Sequence, residues 1–249
     1  MGMVRAVSSL LIALVVHQAQ AGAWTRTEGD AFVSQSVRYF STALTGDGAP
    51  FSRLSSQTYV EYGVTDQTTV GGEADAGRRA DGTQDSLLRG FLRVRLWRGE
   101  NGVVSIEGGG AYPALSALSG DTAIADVTPE ARIGLAYGRG IALRDWGGWA
   151  EAGLTARHRF GPPADEVKLD LTLGIRPTDD WVAIGQVFAT MGLRNEGVGG
   201  SNFDAIKLSL AIGRRLDDRR TLLFFAAQDL WGRNLNKGGE IGVTIWNEF

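Results

Sequence analysis

Glu240-Ile241-Gly242-Val243-Thr244-Ile245-Trp246-Asn247-Glu248-Phe249 is the stretch on which the fold turns. Ile241, Val243, Ile245 and Phe249 share one face of an extended chain, and Glu240, Gly242, Thr244, Trp246 and Glu248 share the other. Successive side chains of a strand point to opposite faces, so the run predicts a strand with one apolar and one polar face.

Outward from that run, the same period of two governs the chain from residue 28 onward. Leu88, Gly90, Leu92, Val94 and Leu96 alternate with Arg89, Phe91, Arg93 and Arg95. Val104, Ile106, Gly108, Gly110 and Tyr112 oppose Ser105, Glu107 and Gly109. Ala150, Ala152, Leu154, Ala156 and Phe160 oppose Glu151, Thr155, Arg157 and Arg159. In all, about twelve such segments follow, each near the 9–11 residues that a tilted membrane strand requires. Two of them, 181–192 and 221–229, are apolar enough that the period leaves their faces open.

Connection lengths follow a parity. Thr65-Asp66, Gly99 to Gly102, Pro177 to Asp180 and Leu216 to Arg219 are tight, and Gly138 to Asp145 is somewhat longer. Residues 42–52, 77–86, 113–128 and 193–203, which follow odd segments, are longer and rich in Gly, Asp and Ser. Short periplasmic turns alternating with longer outer loops, around an even number of strands, is the rule for bacterial outer-membrane barrels. The predicted fold is therefore all-β, a transmembrane antiparallel up-and-down barrel of about 12 strands with both termini periplasmic. A soluble β-sandwich also alternates, but it has open edges and no reason to alternate its loop lengths.

Aromatic residues fit the same frame. Tyr62, Tyr137, Trp146 and Phe249 fall at predicted periplasmic ends of the apolar face, and Tyr39, Tyr112 and Phe160 at predicted outer ends. Such girdles suit membrane–water interfaces. Trp97 and Trp149 have the opposite parity and are expected to face the lumen.

The first residues carry a different signal. Arg5, the apolar core Leu10 to Val16 and the small-x-small site Ala19-Gln-Ala21 have the layout of a secretory signal peptide. Residues 1–21 are read as that peptide and 22–249 as a single barrel domain, although Ala21-Gly-Ala23 also fits a cleavage site. Arg5 leaves with the peptide, so 24 of the 25 basic residues remain against 28 acidic ones, with no basic block for nucleic acid. Cysteine is absent and one of the two histidines is His17, so neither metal sites nor other cofactors are expected. The 35 glycines disfavour long helices and suit turns and a crowded wall.

The final strand ending on Phe249 looks like the terminal strand of outer-membrane barrels. It points to the barrel-assembly machinery, membrane lipids and lipopolysaccharide as partners. Gly22-Ala-Trp-Thr25, the hairpin Tyr59-Val-Glu-Tyr-Gly-Val-Thr-Asp-Gln-Thr-Thr-Val-Gly-Gly72, Arg95-Leu-Trp97 and Gly232-Arg-Asn234 together resemble a family of proteobacterial outer-membrane proteins. That family is named for the phenol meta-cleavage degradation pathway. The resemblance implies an outer-membrane location and a role in moving small molecules, aromatic ones among them, and it brings no catalytic residues. The acidic ending Asn247-Glu-Phe249 departs from the pattern.

The lumen-facing set is the candidate functional surface: Arg89, Arg93, Arg95, Glu107, Glu130, Arg132, Glu151, Arg157, Lys168 and Asp170, with Arg38, Glu61, Glu73, Arg159, Arg176, Lys207 and Glu240. Such charges either cross-link the interior or select a permeant by sign and size. Arg93 and Arg95 are expected near Glu107, Arg132 near Glu151, and the row Arg89, Arg93 and Arg95 is the candidate anion-attracting stripe. Three functions remain open. The first is a passive channel for small molecules, aromatic or anionic ones included; the second is a closed structural or surface-interaction barrel. The third, a lipid hydrolase, rests on His158, which has lipid-facing parity and no nucleophile motif beside it. Asp47, Asp81, Asp85, Asp121 and Asp165 are read as solvated loop charges, since they lack the spacing of a calcium loop.

Overall fold

The computed structural model describes residues 22–42, 51–100, 102–113 and 128–249. The signal-peptide residues 1–21, Asp47, Asp121 and most of two predicted long loops lie outside the described residues. Twelve strands form one closed antiparallel barrel: β1 (Ala31–Ser41), β2 (Ser52–Thr65), β3 (Thr68–Arg79), β4 (Gln84–Arg98), β5 (Gly102–Pro113), β6 (Glu130–Leu143), β7 (Trp146–Arg159), β8 (Glu166–Arg176), β9 (Trp181–Gly192), β10 (Asp204–Arg215), β11 (Arg220–Arg233) and β12 (Gly239–Glu248). Each strand pairs with its sequence neighbours, and β12 returns to β1. Phe249 completes that seam, donating its N–H to Ala31 O at 2.9 Å while Ala31 N–H donates back at 3.2 Å. Closure leaves no strand edge unpaired, which a wall in contact with lipid requires.

The faces follow the alternation. Leu88, Leu92, Ile133, Leu135, Leu154, Leu210 and Ile241 are exposed on the outer wall, an apolar band that a soluble protein would not present to water. Tyr62, Tyr137, Trp146 and Phe249 stand exposed on that wall at the short-turn end, and Tyr39, Tyr112 and Phe160 at the long-loop end.

Several expectations need correction. The strands run longer than a bare membrane span. β6 continues through Gly138 to Leu143, paired with the first residues of β7, so the connection is the two-residue turn Arg144-Asp145, with Arg144 left-handed at φ 56°. Positive φ is what two-residue hairpin turns demand. The predicted loop 77–86 likewise shrinks to 80–83 as β3 and β4 extend. Trp97 does not face the lumen. A register shift between Arg95 and Trp97 sets Trp97 opposite Val104, so both Leu96 and Trp97 lie outside, with Trp97 53% exposed. Asp85 is no loop charge, because it is buried in β4 against Arg53 and Arg79.

The undecided faces are settled by packing. In β9, Val182, Ile184, Gln186, Phe188 and Thr190 point inward, and in β11 so do Leu223, Phe225, Ala227 and Asp229. Val182, Ile184 and Leu223 form a buried cluster with Trp149, which is 1% exposed. Trp149 fits because its cross-strand neighbour is Gly174; a methyl group there would overlap the indole. Gly174→Ala should therefore cost about 1–3 kcal/mol through overpacking. A urea-unfolding midpoint unchanged from wild type would show that the indole does not seat there.

Candidate functional site: the lumen and its N-terminal strap

Inside the wall, charged residues of β1 to β8, with contributions from β10 to β12, form three connected lattices. The first lies toward the long-loop end. Arg53 joins Asp75 and Asp85, and Arg38 joins Asp75 and reaches Glu240 at 3.6 Å. Lys207 continues it to Glu240 at 3.6 Å. In the second, Arg89 binds Glu73 at 2.8 Å and approaches Glu130 at 3.7 Å. Arg157 bridges Glu130 at 3.3 Å and Glu166 at 3.2 Å, and Glu166 also holds Arg159. The third lies toward the short turns: Arg93 binds Glu61 and Glu107, each at 2.7 Å, and Arg132 binds Glu107 at 3.0 Å.

Predicted neighbours are thus partly brought together. Arg93 meets Glu107, which stands directly opposite it. Arg95 stands opposite Ser105, and its guanidinium donates to Thr25 Oγ1 at 3.3 Å. Arg132 is not near Glu151. The tight turn of β6–β7 puts Arg132 opposite Arg157 and Glu151 opposite Gly138, well apart along the same hairpin. Arg89 and Arg93 are each engaged by two carboxylates, so their row is not a free cationic stripe. Lys168 and Asp170 of β8 make no ion pair among the described residues, and Lys168 faces open space.

The feature that periodicity did not reveal is the segment 22–28, which enters the barrel and binds its inner wall as a strap. Ala23 is fully buried, and its carbonyl accepts from the Ser105 hydroxyl. Arg93 Nη1 donates to Trp24 O at 3.1 Å, the Arg26 N–H donates to Thr69 Oγ1 at 2.8 Å, and Arg26 Nε binds Glu61 at 2.6 Å. Thr25 Oγ1 donates to Asp66 O at 2.8 Å at the β2–β3 turn. Inward glycines make room for it: a side chain at Gly63 would overlap Thr27, and one at Gly138 would overlap the Trp24 indole. Trp24 and Trp246 pack against the Trp149, Val182, Ile184 and Leu223 cluster. Strap and cluster together occupy lumen space toward the short turns.

Above that floor a cavity of about 940 Å³ runs toward the long loops. Arg38, Arg53, Asp75 and Arg89 line it on β1 to β4; Ile184, Phe188, Leu223, Phe225 and Trp246 line it on β9, β11 and β12, and Lys168 of β8 stands beside them. Aromatic rings continue across the wall, with Tyr59 stacked on Phe91 at 5.8 Å and edge-on to Phe32 at 6.3 Å, and Phe32 edge-on to Trp246 at 6.2 Å.

The architecture is matched by solved structures. The COG4313 outer membrane channel from Pseudomonas putida F1 aligns over 93% of this chain and 100% of its own, with TM-score 0.63 and 13% identity. The KdgM porin in complex with disordered oligogalacturonate aligns over 86% and 99%, with TM-score 0.58 and 6% identity. The NanC porin does so over 86% and 98%, with TM-score 0.59 and 7% identity. The chain has a porin-like fold. No protein-family model and no curated protein matches it in sequence. At these identities the likeness reaches the barrel and not its permeant.

His158 sits on the outer wall near the long-loop rim, away from the cavity. Its Nδ1 lies 2.9 Å from Asp165 Oδ1, and its ring meets the edge of Phe160 at 4.7 Å. Among the described residues no serine hydroxyl bonds to it. The Arg159 backbone N–H, then Asn195 and His158, hold the Asp165 carboxyl below its ordinary range, so this acid is tied to the rim rather than loose in solvent.

Proposed function

We propose that the protein is an outer-membrane channel for small amphipathic anions, an aromatic ring bearing a carboxylate being the type. Its short turns lie in the periplasm, and the strap closes the periplasmic mouth. The observation that carries this reading is the two-sided cavity. Apolar and aromatic side chains offer a ring a surface to slide along, while Lys168, on the strand beside Phe188, is a cavity-lining cation that makes no ion pair at contact distance among the described residues. Sites for small organic molecules have this character, mostly apolar with a few placed polar groups. The paired charges elsewhere cancel locally, so sign selection falls to Lys168. The resemblance of the strap and hairpin motifs to the phenol-degradation family supports an aromatic permeant, and the apolar outer wall supports the membrane location.

Proteoliposomes carrying the refolded protein should admit benzoate faster than a neutral sugar of similar size. Lys168→Glu should lower the benzoate rate by about tenfold while leaving the sugar rate nearly unchanged, because a lining charge acts on permeants by sign. Equal rates for benzoate and sugar, or no response to the substitution, would remove the proposal. The strap and cluster toward the short turns favour one competing reading, a closed structural barrel, which predicts no flux of either solute.

A further inference from the structure

Glu151 stands apart from the other lumen carboxylates. Its cross-strand neighbours are Gly138 and Thr172, neither of which carries a charge. Its Oε1 is buried without a hydrogen-bond partner, and it makes no ion pair among the described residues. The carboxylate is instead directed at the start of the strap. It accepts from the Ala23 backbone N–H and lies so close to Gly22 that a methyl group there would overlap it. A carboxylate taken out of water without a counterion in contact is disfavoured, so the place suits a cation supplied at Gly22.

We propose that Glu151 is the receptor for the α-ammonium group created by hydrolysis of the Ala21–Gly22 bond, so that processing supplies the counterion that locks the strap in the lumen. In that cleavage, catalysed by a signal endopeptidase, the hydroxyl of water goes to the Ala21 carbonyl carbon and its hydrogen to the Gly22 nitrogen. The new Ala21 carboxyl loses a proton, and the amine gains one, because an α-amino group ordinarily titrates at about 7.7–8.0. The geometry also chooses between the two small-x-small sites. A cut after Ala23 would remove both Gly22 and the Ala23 N–H, leaving Glu151 with neither partner and Ser105 without the Ala23 carbonyl. In the uncut precursor the Gly22 nitrogen is a neutral amide, so the strap is held less firmly before processing than after it.

Two measurements on protein extracted from outer membranes test this, and neither is a flux, so failure here is distinct from failure of the channel reading. The intact mass should correspond to a chain starting at Gly22; a chain starting at Trp24 would overturn the proposal. In the folded protein the α-amine should react with an amine-selective ester at least about tenfold more slowly than in the heat-unfolded chain, because reaction requires the strap to open. Glu151→Gln should weaken that protection several-fold, whereas Glu73→Gln, a lumen carboxylate that does not touch the strap, should keep it. A wild-type amine as reactive as in the unfolded chain, or a fully protected Glu151→Gln, would contradict the assignment. Should Glu151→Gln fail to fold, as shown by loss of heat-modifiable gel migration, the wild-type mass and protection still decide.

Discussion

Arg93→Met should destabilise the refolded barrel by about 3–5 kcal/mol, the range found when one partner of a buried ion pair is removed. The Arg93 side chain is 3% exposed and that of Glu61 0%. The methionine would leave Glu61 with Arg26 and the Tyr59 hydroxyl but without its main buried cation, and would strip the donor from the Trp24 carbonyl. Glu107 suffers less, because Arg132 remains on its other oxygen. The loss thus arises from a buried carboxylate left with one cation in place of two and from the Trp24 carbonyl left without its donor. Arg93→Met combined with Glu61→Gln should recover part of it, since the under-compensated buried anion is then gone. Arg95→Met, which gives up a single hydroxyl contact, should cost under about 1 kcal/mol, as a lone polar interaction does. Urea-unfolding midpoints of the four chains check the series, and equal midpoints for Arg93→Met and Arg95→Met would refute the network.

Trp24→Ala should have the largest effect on permeation. The indole seats against Trp149, Val182, Ile184 and Leu223, and it occupies the space left by Gly138. Removing an aromatic side chain from a packed site costs about 3 kcal/mol or more. That energy holds the strap in the closed position and adds little to the barrel wall, which is tied by its own hydrogen-bond ladders. The substitution should therefore raise the undocked population by about a hundredfold, at 1.4 kcal/mol per factor of ten. The remaining bonds of Ala23, Trp24 and Arg26 to the wall limit the release.

The barrel is legible from the chain because a period of two, an even strand count and alternating connection lengths all express the same physical demand. Misreadings cluster where that demand relaxes. Residues 138–143 look like a loop because glycines and an arginine interrupt the pattern, yet backbone pairing carries the hairpin onward to Arg144. Trp97 changes face because a bulge resets parity, which no alternation rule foresees. The faces of β9 are ambiguous because its inward side packs on Trp149 and is as apolar as its outer side. Charged lumen residues can be assigned to the interior from parity alone, but their partners depend on register and on strands distant in sequence. The strap is the clearest example. Its bonds run from Arg26–Glu61, 35 positions apart, to Ala23–Glu151, and its own sequence has no periodicity to announce them. A usable sign was present in Gly63 and Gly138, inward positions without side chains, and in Glu151, which faces neutral neighbours on both sides.

The proposed channel has a periplasmic mouth shut by residues 22–28. Planar-bilayer recordings of the chain beginning at Gly22, made alongside the same chain carrying Trp24→Ala, test it most directly. Rare or small unitary currents are expected for the first and frequent, larger ones for the second, at equal amounts of folded protein. Two silent chains would contradict the channel, and two chains with identical currents would contradict the strap as its gate.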